Sequence, residues 1–461
     1  MIDARQIFID LSYLGASIAF ILGLKGMTHP DSARRGMTLA EVGMFLAIIG
    51  TLLNKGILDY TSILIGLVVG SIIGALIAAW TPMTAMPQRT ALSHACGALA
   101  VTLVGVAEYY QHGAELSALH MGAIGFEVLF GALTFTGSLI AMAKLQELMK
   151  GTPLTFKGQN LLNVSIFGVL AFLFICLIFH PGHFVAFYLM LALSLISGIF
   201  LVLPIGAADM PVVISLLNSY AGLAACATGF ALGNNILIIA GALDGASGFI
   251  LSVIMCKAMN RSITNVMFGA FGQAPKDGAA AAITGSIREF KPEDVALTLT
   301  SCSSLIIVPG YGLAVSRAQN EVKELADLLI KKGVEVRYAI HPVAGRMPGH
   351  MNVLLAEANV PYAELFDMES INDSFKNTDV VMVVGANDVT NPAAKTNQSS
   401  PIYGMPVLNV DQARTVFFLK RSMKPGFAGI ENELFFNEKT YMVFGDAKAT
   451  LNQLIHEVKN G

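Results

Sequence analysis

Charged residues are scarce in this chain of 461 residues. Asp, Glu, Lys and Arg make up 13% of it, whereas ordinary soluble domains contain about 25%. Hydrophobic residues make up 54%, and the mean hydropathy is +0.63. This composition excludes an ordinary soluble protein and is typical of an integral membrane protein. The net charge of −3 gives no reason to expect nucleic acid as a partner.

Cysteine pairs are also missing. The five cysteines are scattered, with no CxxC pair and no histidine at metal-ligand spacing, so neither a disulfide framework nor a metal site is predicted. Most lie in apolar runs, where cysteine behaves as a small hydrophobic residue. They are Cys96, Cys176, Cys226, Cys256 and Cys302.

Nine apolar stretches are each long enough to cross a hydrocarbon core of about 30 Å. No cleavage pattern of small residues follows the first one, so we expect it to be retained as a membrane span. We expect the protein in the cell inner membrane. The stretches lie near residues 6–25, 37–54, 61–80, 91–109, 121–143, 161–180, 183–203, 211–230 and 235–256.

Lys and Arg collect in alternate connections between these stretches, as they do on the cytoplasmic side of membranes. The opposite connections hold little beyond Arg5 and Lys55. An odd number of spans then predicts an N-terminus outside the cell and a cytoplasmic C-terminal domain. The basic residues behind this prediction are Lys25, Arg34, Arg35, Arg89, Lys144, Lys150, Lys157, Lys257 and Arg261.

Beyond about residue 290, β-branched runs alternate with helical patterns, which predicts a Rossmann-like, doubly wound α/β domain with a mostly parallel sheet. We therefore expect a polytopic α-helical membrane domain over 1–260, a linker over 261–290 and a nucleotide-binding domain over 291–461. Strands are predicted at 304–308, 334–340, 380–384, near Val407, at 416–419 and at 441–444, with a helix over about 313–332.

Polar, glycine-rich segments follow several of these strands, at the end of the sheet where ligands of such folds bind. In one of them, Gly310 and Gly312 follow a strand and open a helix, an arrangement that lets backbone approach a pyrophosphate. Glycines also mark ordinary turns, so this motif alone is weak. The segments are 309–312, 341–350, 385–392, 420–429 and 445–448.

NAD-binding folds usually place an acid at the end of the second strand, where it bonds the ribose 2′-hydroxyl. The segment from Ile340 to Arg346, at the end of the second predicted strand, contains no acid. Arg346 and the run Lys420, Arg421 and Ser422 offer cations and a hydroxyl that suit a phosphate. The sequence therefore predicts NADP(H) rather than NAD(H). The alternative for Lys420 and Arg421 is a solvated strand end.

Ionisable residues inside membrane spans are costly and usually face a bundle interior or a water path. His94 is the strongest candidate for a proton relay, because an ordinary imidazole titrates near neutral pH. The alternative is a histidine that is merely hydrogen-bonded within the bundle. The ionisable residues of the spans are Asp10, Glu41, His94, Glu127 and Asp244, with Asp209 at the start of the eighth span.

Longer motifs resemble the β subunit of proton-translocating NAD(P) transhydrogenase across nearly the whole chain, and their length makes them far more specific than the glycine motif. They are Gly206 to Tyr220 (GAADMPVVISLLNSY), Cys256 to Ser262 (CKAMNRS), Pro309 to Val315 (PGYGLAV), His341 to Asn352 (HPVAGRMPGHMN), Gly385 to Asp388 (GAND) with Asn391 to Ala394 (NPAA), and Lys420 to Met423 (KRSM).

The resemblance implies that this chain binds NADP(H), reversed relative to the usual Rossmann pose. It also implies that an α subunit supplies NADH, that inward proton flow drives NADPH formation, and that two α-β units form a dimer. The residues implied at the cofactor are Gly310, Tyr311, Gly312, Ala314, Val315, His341, Val343, Ala344, Gly345, Arg346, Gly385, Ala386, Asn387, Asp388, Lys420, Arg421, Ser422, Gly426, Gly445, Asp446 and Ala447.

Some of these positions carry a more specific implication from the resemblance. Lys420, Arg421 and Ser422 match the loop that binds the 2′-phosphate. Arg346 is placed nearer the pyrophosphate, and Asp388 matches an acid near the nicotinamide.

The resemblance further matches His94, Ser138 and Asn218 to proton-path positions, and Asp209 to an acid where the two domains communicate. Ser138 and Asn218 have an alternative as simple interhelical hydrogen bonds. Two residues depart from the family. Asp244 stands where relatives have an apolar residue, and Phe427 stands where they have a tyrosine that covers the nucleotide.

Hydride transfer requires two nicotinamides in near contact, and this chain has only one glycine fingerprint. We therefore expect the second site on another polypeptide and no activity from this chain alone. The competing hypothesis is a channel or transporter that senses a nucleotide, although no filter-like sequence or inverted repeat is present. A third hypothesis is that the membrane domain is only a structural anchor. It is the least favoured, because it does not explain why ionisable residues lie inside the spans.

Overall fold

The computed structural model describes most of the chain. The residues outside the description are 1–3, 55–59, 83–84, 147, 150–153, 207–208, 261, 264–285, 348, 399, 401, 427 and 461. Most of the predicted linker and Phe427 therefore lie outside the described residues.

In the described part of the chain, nine helices are long and apolar enough to cross a membrane, and they confirm the nine predicted spans. Helices suit this setting because all their backbone polar groups pair within the segment. They are α1 Ala4–Met27, α2 Pro30–Leu52, α3 Thr61–Trp80, α4 Met86–His112, α5 Ala118–Leu145, α6 Gln159–Phe179, α7 Phe184–Val202, α8 Met210–Leu232 and α9 Asn235–Ala258.

The helices α5 and α8 form the centre of the bundle, whereas α3 has no buried residue. Small residues let the central helices approach closely. A Cβ added to Gly222 of α8 would lie 2.4 Å from the backbone nitrogen of Gly245 on α9. A Cβ on Gly198 of α7 would lie 2.1 Å from the Leu133 carbonyl oxygen of α5. Larger side chains at these glycines would push the helices apart.

A buried lysine closes the end of α7. The Lys144 side chain is 1% exposed, and its Nζ donates to the carbonyl oxygens of Val202, Leu203 and Ile205 at 3.2, 2.5 and 2.7 Å. The last carbonyls of a helix have no partner within the helix and carry partial negative charge. Lys144 therefore ties the end of α5 to the end of α7.

The C-terminal part is a six-stranded sheet in the order β3-β2-β1-β4-β5-β6, and all its strand pairs are parallel. This confirms the predicted fold class. The strands are β1 Ser304–Pro309, β2 Glu335–Ile340, β3 Leu365–Asp367, β4 Val380–Val384, β5 Thr415–Lys420 and β6 Thr440–Phe444. The helices are α10 Pro292–Ser301, α11 Tyr311–Ser316, α12 Gln319–Lys331, α13 His350–Glu357, α14 Met368–Ile371, α15 Ala393–Thr396 and α16 Ala447–Asn460.

Each face of this sheet has its own apolar core. Along β1, Leu305 and Ile307 join one cluster and Ile306 and Val308 join the other, because successive side chains of a strand point to opposite faces. The chain runs outward from β1 to β3 and then returns to place β4 beside β1. The carboxyl ends of β1 and β4 therefore form the switch point at which such sheets bind ligands.

Three details of the predicted sheet domain were wrong. The segment near Val407 is not a strand; Val407 and Leu408 are buried in an irregular segment, and Leu408 N donates to Val389 O at 2.9 Å. The apolar run there fills the core beside the sheet. The short β3 was missed, and the predicted helix over 313–332 is broken at Arg317, whose φ is +50°.

The pairing of Lys144 yields a stability prediction. Lys144→Met would keep the apolar stem but remove the lysine donor from three carbonyls at the end of α7. Val202 O would keep Ile205 N at 3.1 Å and Leu203 O would keep Leu154 N at 3.3 Å. We expect the free energy of unfolding to fall by about 2 kcal/mol, the loss typical of a charged hydrogen bond in a buried site. Thermal unfolding of the purified chain in detergent measures it. Lys257→Met, at an exposed position in the last turn of α9, is the control, and an equal loss there would contradict the prediction.

Candidate functional site

The loops after β1 and β4 touch at the switch point. Gly310 N donates to Val384 O at 2.9 Å, and Gly312 N donates to Gly385 O at 2.8 Å. A Cβ on Gly312 would lie 2.6 Å from Gly385 Cα, and Gly385 has a φ of +67° that favours glycine. The fingerprint glycines therefore allow a close approach of two loops, a use that the motif alone did not predict.

An open cleft lies beside this contact. It brings together ten of the sequence-predicted residues: Gly312, Gly385, Ala386, Asn387, Lys420, Arg421, Ser422, Gly426, Gly445 and Ala447. Sequence reasoning missed four lining residues, namely Ser316, Leu419, Lys424 and Pro425. Two of them had a signal: Lys424 extends the basic run from Lys420, and Ser316 lies one helical turn after Gly312.

Lys420 is held inside the cleft by neutral groups. Its Nζ donates to Asn387 Oδ1 at 3.2 Å and to the Lys424 carbonyl at 3.1 Å, and it lies 4.4 Å from the centroid of the Phe435 ring. Burial lowers the pKa of Lys420 to about 8, and the negative charge of Asp388 acts in the opposite direction. The lysine is therefore a desolvated cation, and an anionic ligand would stabilise its charged form.

Asp388 is fastened to the loop that follows β5. Its Oδ1 accepts from Asn387 Nδ2 at 2.9 Å, and its Oδ2 accepts from Ala428 N at 3.0 Å. A Cβ on Gly426 would lie 2.6 Å from Asp388 Oδ1, so only glycine leaves room for the carboxylate there. The loops after β4 and β5 are thereby joined across the cleft.

Two buried histidines hold the loop after β2. His341 Nε2 donates to Pro406 O at 2.7 Å, which leaves Nδ1 to accept from Val343 N at 3.2 Å. His350 Nδ1 accepts from Arg346 N at 3.0 Å. Burial lowers the pKa of both side chains to about 4, with the Arg346 charge adding to the effect at His350. Both imidazoles are neutral at pH 7, and protonation of either Nδ1 would break a loop hydrogen bond.

Arg346 links this loop to the membrane helices. Its Nη1 donates to the carbonyl oxygen of Leu145, the last residue of α5, at 2.5 Å, and Gln88 Nε2 donates to the same oxygen at 3.1 Å. The Arg346 guanidinium carbon also lies 4.2 Å from the centroid of the Tyr311 ring. Val343 packs against apolar clusters of both parts of the chain. The predicted pyrophosphate residue therefore makes an interdomain contact.

The remaining predicted cofactor residues do not line the cleft in the described structure, and their assignment stays a prediction. Ala314 is buried in the core, Val315 is 44% exposed, and Asp446 Oδ1 accepts from Lys448 N and Ala449 N at the start of α16. The others follow strands β1, β2 and β4, with Tyr311 at the start of α11: Gly310, Tyr311, His341, Val343, Ala344, Gly345, Arg346 and Asp388.

The predicted proton-path residues come from three adjacent helices, α4, α5 and α8. Contacts of Gly105 with Glu127 and of Thr102 with Gly131 show that α4 and α5 run antiparallel. Continuing that register places His94 level with Ser138. Gly137 contacts Leu217, the neighbour of Asn218, so the three predicted residues lie at one level. Asp209 immediately precedes α8; the roles of all four stay predictions.

Asn218 and Asp244 form a pair between α8 and α9. Asn218 Nδ2 donates to Asp244 Oδ1 at 3.2 Å. Asp244 therefore has a local partner on the neighbouring helix, and that partner is a predicted proton-path residue.

A bundle of spanning helices joined to a doubly wound parallel sheet, with a cleft at its switch point, defines a multi-pass membrane protein with a Rossmann-like domain. A family model described as NAD(P) transhydrogenase beta subunit matches residues 9–457. Two relatives from Rhodospirillum rubrum, both named NAD(P) transhydrogenase subunit beta, are 50% identical over 454 residues, 96% of this chain and 97% of the relative. The chain belongs to the NAD(P) transhydrogenase beta subunit family, which confirms the resemblance inferred from its motifs.

The neutral histidines predict a pH dependence of stability. The folded pKa values of about 4 lie below the ordinary value of 6.5, so the unfolded chain binds more protons between these values. Stability that is present above pH 6.5 should be lost as the pH falls towards 4. Hydrogen exchange at β1 and β4 measures it, and His341→Gln should weaken the dependence. His456→Gln, at an exposed position, is the control; an unchanged pH profile in His341→Gln would refute the prediction.

Proposed function

We propose that this chain binds NADP(H) in the cleft between β1 and β4 and accepts hydride from NADH held by an α subunit. In this proposal, hydride transfer is coupled to proton movement into the cell. The observation that carries the proposal is the cluster of cations and a hydroxyl on one rim of the cleft, formed by Lys420, Arg421, Ser422 and Lys424. NAD(H) carries a pyrophosphate but lacks the 2′-phosphate that this cluster would bind.

The residues present fit a phosphorylated dinucleotide. Lys420 is desolvated, and its Nζ donates to two neutral acceptors, Asn387 Oδ1 and the Lys424 carbonyl. Burial removes the Lys420 ammonium from water, and the negative charge of phosphate oxygens would stabilise it. Lys420, Arg421 and Ser422 would hold the 2′-phosphate, and Gly312 and Gly385 would leave room for backbone approach. When bound, NADP(H) supplies the nicotinamide carbon that gains or loses the hydride.

The position of Asp388 supports a role beside the nicotinamide. Its carboxylate bridges Asn387, at the end of β4, and Ala428, in the loop after β5. A change in charge near this carboxylate would alter its attraction for both loops. Asp388 would in this way orient the loops that close over the cofactor.

The arrangement across the membrane follows from charge. The Lys and Arg bias supports an N-terminus outside and a cytoplasmic sheet domain, where nucleotide cofactors are available. A membrane domain over 1–260, a linker over 261–290 and an NADP(H) domain over 291–461 remain our proposed division of the chain.

The chain requires a partner in this proposal. Hydride transfer needs a second nicotinamide, so NAD(H) lies on the α subunit and the chain alone is inactive. The absence of any buried residue in α3 supports further helices beside it, within the part of the chain that the structure describes. Two α-β units would form a dimer in the cell inner membrane.

Coupling between cofactor and membrane would pass through Arg346. This one guanidinium stacks on Tyr311 of the glycine motif and donates to the end of α5, the helix that carries Ser138. A pyrophosphate near the glycine motif would compete with Leu145 O for the same donor. Cofactor binding would therefore bias the sheet domain between a conformation attached to α5 and one released from it, and would gate access to His94.

The cofactor assignment is tested by calorimetric titration of the full chain in detergent with NADPH and, separately, NADH. We expect tight binding of NADPH and little of NADH. Lys420→Met should weaken NADPH binding about 10- to 100-fold, since a charged hydrogen bond contributes about 1.5–3 kcal/mol. Lys439→Met, an exposed lysine outside the cleft, is the control. Preference for NADH would overturn the assignment.

The coupling contact is tested with Arg346→Gln in the holoenzyme with its α subunit, reconstituted in vesicles. Without the guanidinium, the donor to Leu145 O is shortened and uncharged. We expect the number of protons taken up per NADPH formed to fall several-fold. Arg414→Gln, exposed at the opposite end of the sheet, is the control. If Arg346→Gln binds NADPH more weakly but takes up as many protons per NADPH formed as the unmodified enzyme, Arg346 contributes to cofactor binding and not to coupling.

A further inference from the structure

Three buried polar side chains lie along one face of α5. Glu127 is 0% exposed, Thr134 0% and Ser138 1%. Their spacings of seven and four residues keep them within about 20° of one line on a helix and extend over about 16 Å. The line faces the interior of the bundle, where α4 and α8 pack against α5.

These side chains are unusual because their polar atoms have no hydrogen-bond partner among the described residues. That holds for both carboxyl oxygens of Glu127, for Thr134 Oγ1 and for Ser138 Oγ. Thr228 on α8 neighbours the Glu127 carboxyl, but its hydroxyl donates to Ala224 O at 3.1 Å. A buried polar group without a partner is costly, so its presence calls for a reason.

Other buried hydroxyls of the spanning helices behave differently. Most of them donate to the carbonyl four residues earlier in their own helix, an arrangement open to Ser and Thr in spans. Examples are Thr102 to Ala98 at 2.8 Å, Ser194 to Met190 at 2.8 Å, Ser215 to Pro211 at 3.0 Å and Ser252 to Gly248 at 2.8 Å. Ser197 donates to Ser194 O, three residues earlier, and Ser219 donates to Gly245 O on α9. Thr134 and Ser138 therefore keep hydroxyls that can both accept and donate a proton.

The neighbouring helix makes room for the carboxyl. A Cβ on Gly105 of α4 would lie 2.2 Å from Glu127 Oε1, so the carboxyl occupies space that only glycine leaves. At the other end of the line, Ser138 lies level with His94, whose Nδ1 is buried without a partner in the described structure. The line thus joins a buried carboxyl to the level of the proposed relay histidine.

We propose that Glu127 carries the translocated proton through the extracytoplasmic half of the membrane and passes it along Thr134 and Ser138 to His94. The inference rests on the proposed function, because it needs proton translocation and an N-terminus outside. The carboxylate takes a proton from the outer side and becomes a carboxylic acid. It then gives that proton to the hydroxyl line, each hydroxyl accepting one proton and releasing its own, and His94 Nδ1 receives the last.

Water is the additional component of this relay. The rise of about 10 Å from Glu127 to Thr134 exceeds one hydrogen bond, so bridging water must span it. The unsatisfied oxygens of Glu127 and Thr134 are the polar partners that such water needs.

The test uses the holoenzyme with its α subunit, reconstituted in vesicles, and measures proton uptake and NADPH formation from NADH. Glu127→Gln should reduce both rates at least tenfold, because an amide cannot release a proton. Glu127→Asp should restore a substantial part, which a purely structural role for the longer side chain would not give. NADPH affinity should be unchanged. Glu115→Gln, at an exposed position before α5, is the matched control.

A second pair of variants leaves the carboxyl in place. Gly105→Ala should displace the Glu127 carboxyl and slow proton uptake several-fold. Gly97→Ala, on the same helix with no described atom within 4 Å of its Cβ position, should be neutral. If Glu127→Gln does not assemble, these two variants test the proposal in the same vesicle assay. Equal rates of proton uptake in Gly105→Ala and Gly97→Ala would overturn it.

His94→Ala separates failure of this inference from failure of the proposed function. Loss of proton uptake in His94→Ala but not in Glu127→Gln would overturn the role of Glu127 alone. Uptake that persists in both variants would overturn the proposed proton path itself. Loss in both, with rescue by Glu127→Asp, is the expected result.

Discussion

The cost of leaving a polar group unpaired in a low-dielectric environment is the constraint on which the rest of this structure depends. It makes each membrane segment a helix, and it leaves only the helix ends in need of outside donors. Lys144 supplies donors to the carbonyls at the end of α7. At the end of α5, Gln88 supplies one donor and Arg346 another. Because Arg346 belongs to the sheet domain, the same requirement that completes a membrane helix also joins the two parts of the chain.

Buried polar atoms without a partner in the described spans include atoms of Gln88, His94, Gln159 and Asn163, together with three side chains of α5. Most buried hydroxyls of the spans bond back to their own helix, whereas Thr134, Ser138 and the Glu127 carboxyl have no partner in the described residues. A structural role would favour satisfied groups at these positions. A path for protons requires groups whose hydrogen bonds can be exchanged. Asn218, also a predicted proton-path residue, differs from them in having a partner, since it donates to Asp244 across the α8–α9 contact.

The sheet domain follows a different constraint, that of topology. Reversal of the strand order between β1 and β4 brings loops that are distant in sequence to one crevice. Contact between Gly312 and Gly385 fixes the floor of that crevice, and Asp388 joins the loop after β4 to the loop after β5. Lys420 is consequently held away from bulk water with its charge incompletely balanced, which suits the site to an anionic ligand.

Local pattern was enough to determine the nine spans, the parallel doubly wound sheet and the chemical character of the cleft, because hydropathy, β-branched runs and basic clusters are properties of short segments. It was not enough near Val407, where an apolar run serves the core without forming a strand, or at β3, whose three residues carry too little signal. Only the tertiary structure decided that Arg346 reaches Leu145, that Asn218 pairs with Asp244, and that Glu127 lies unpartnered against Gly105. Each of these depends on how separate elements pack together, and no single segment contains that information.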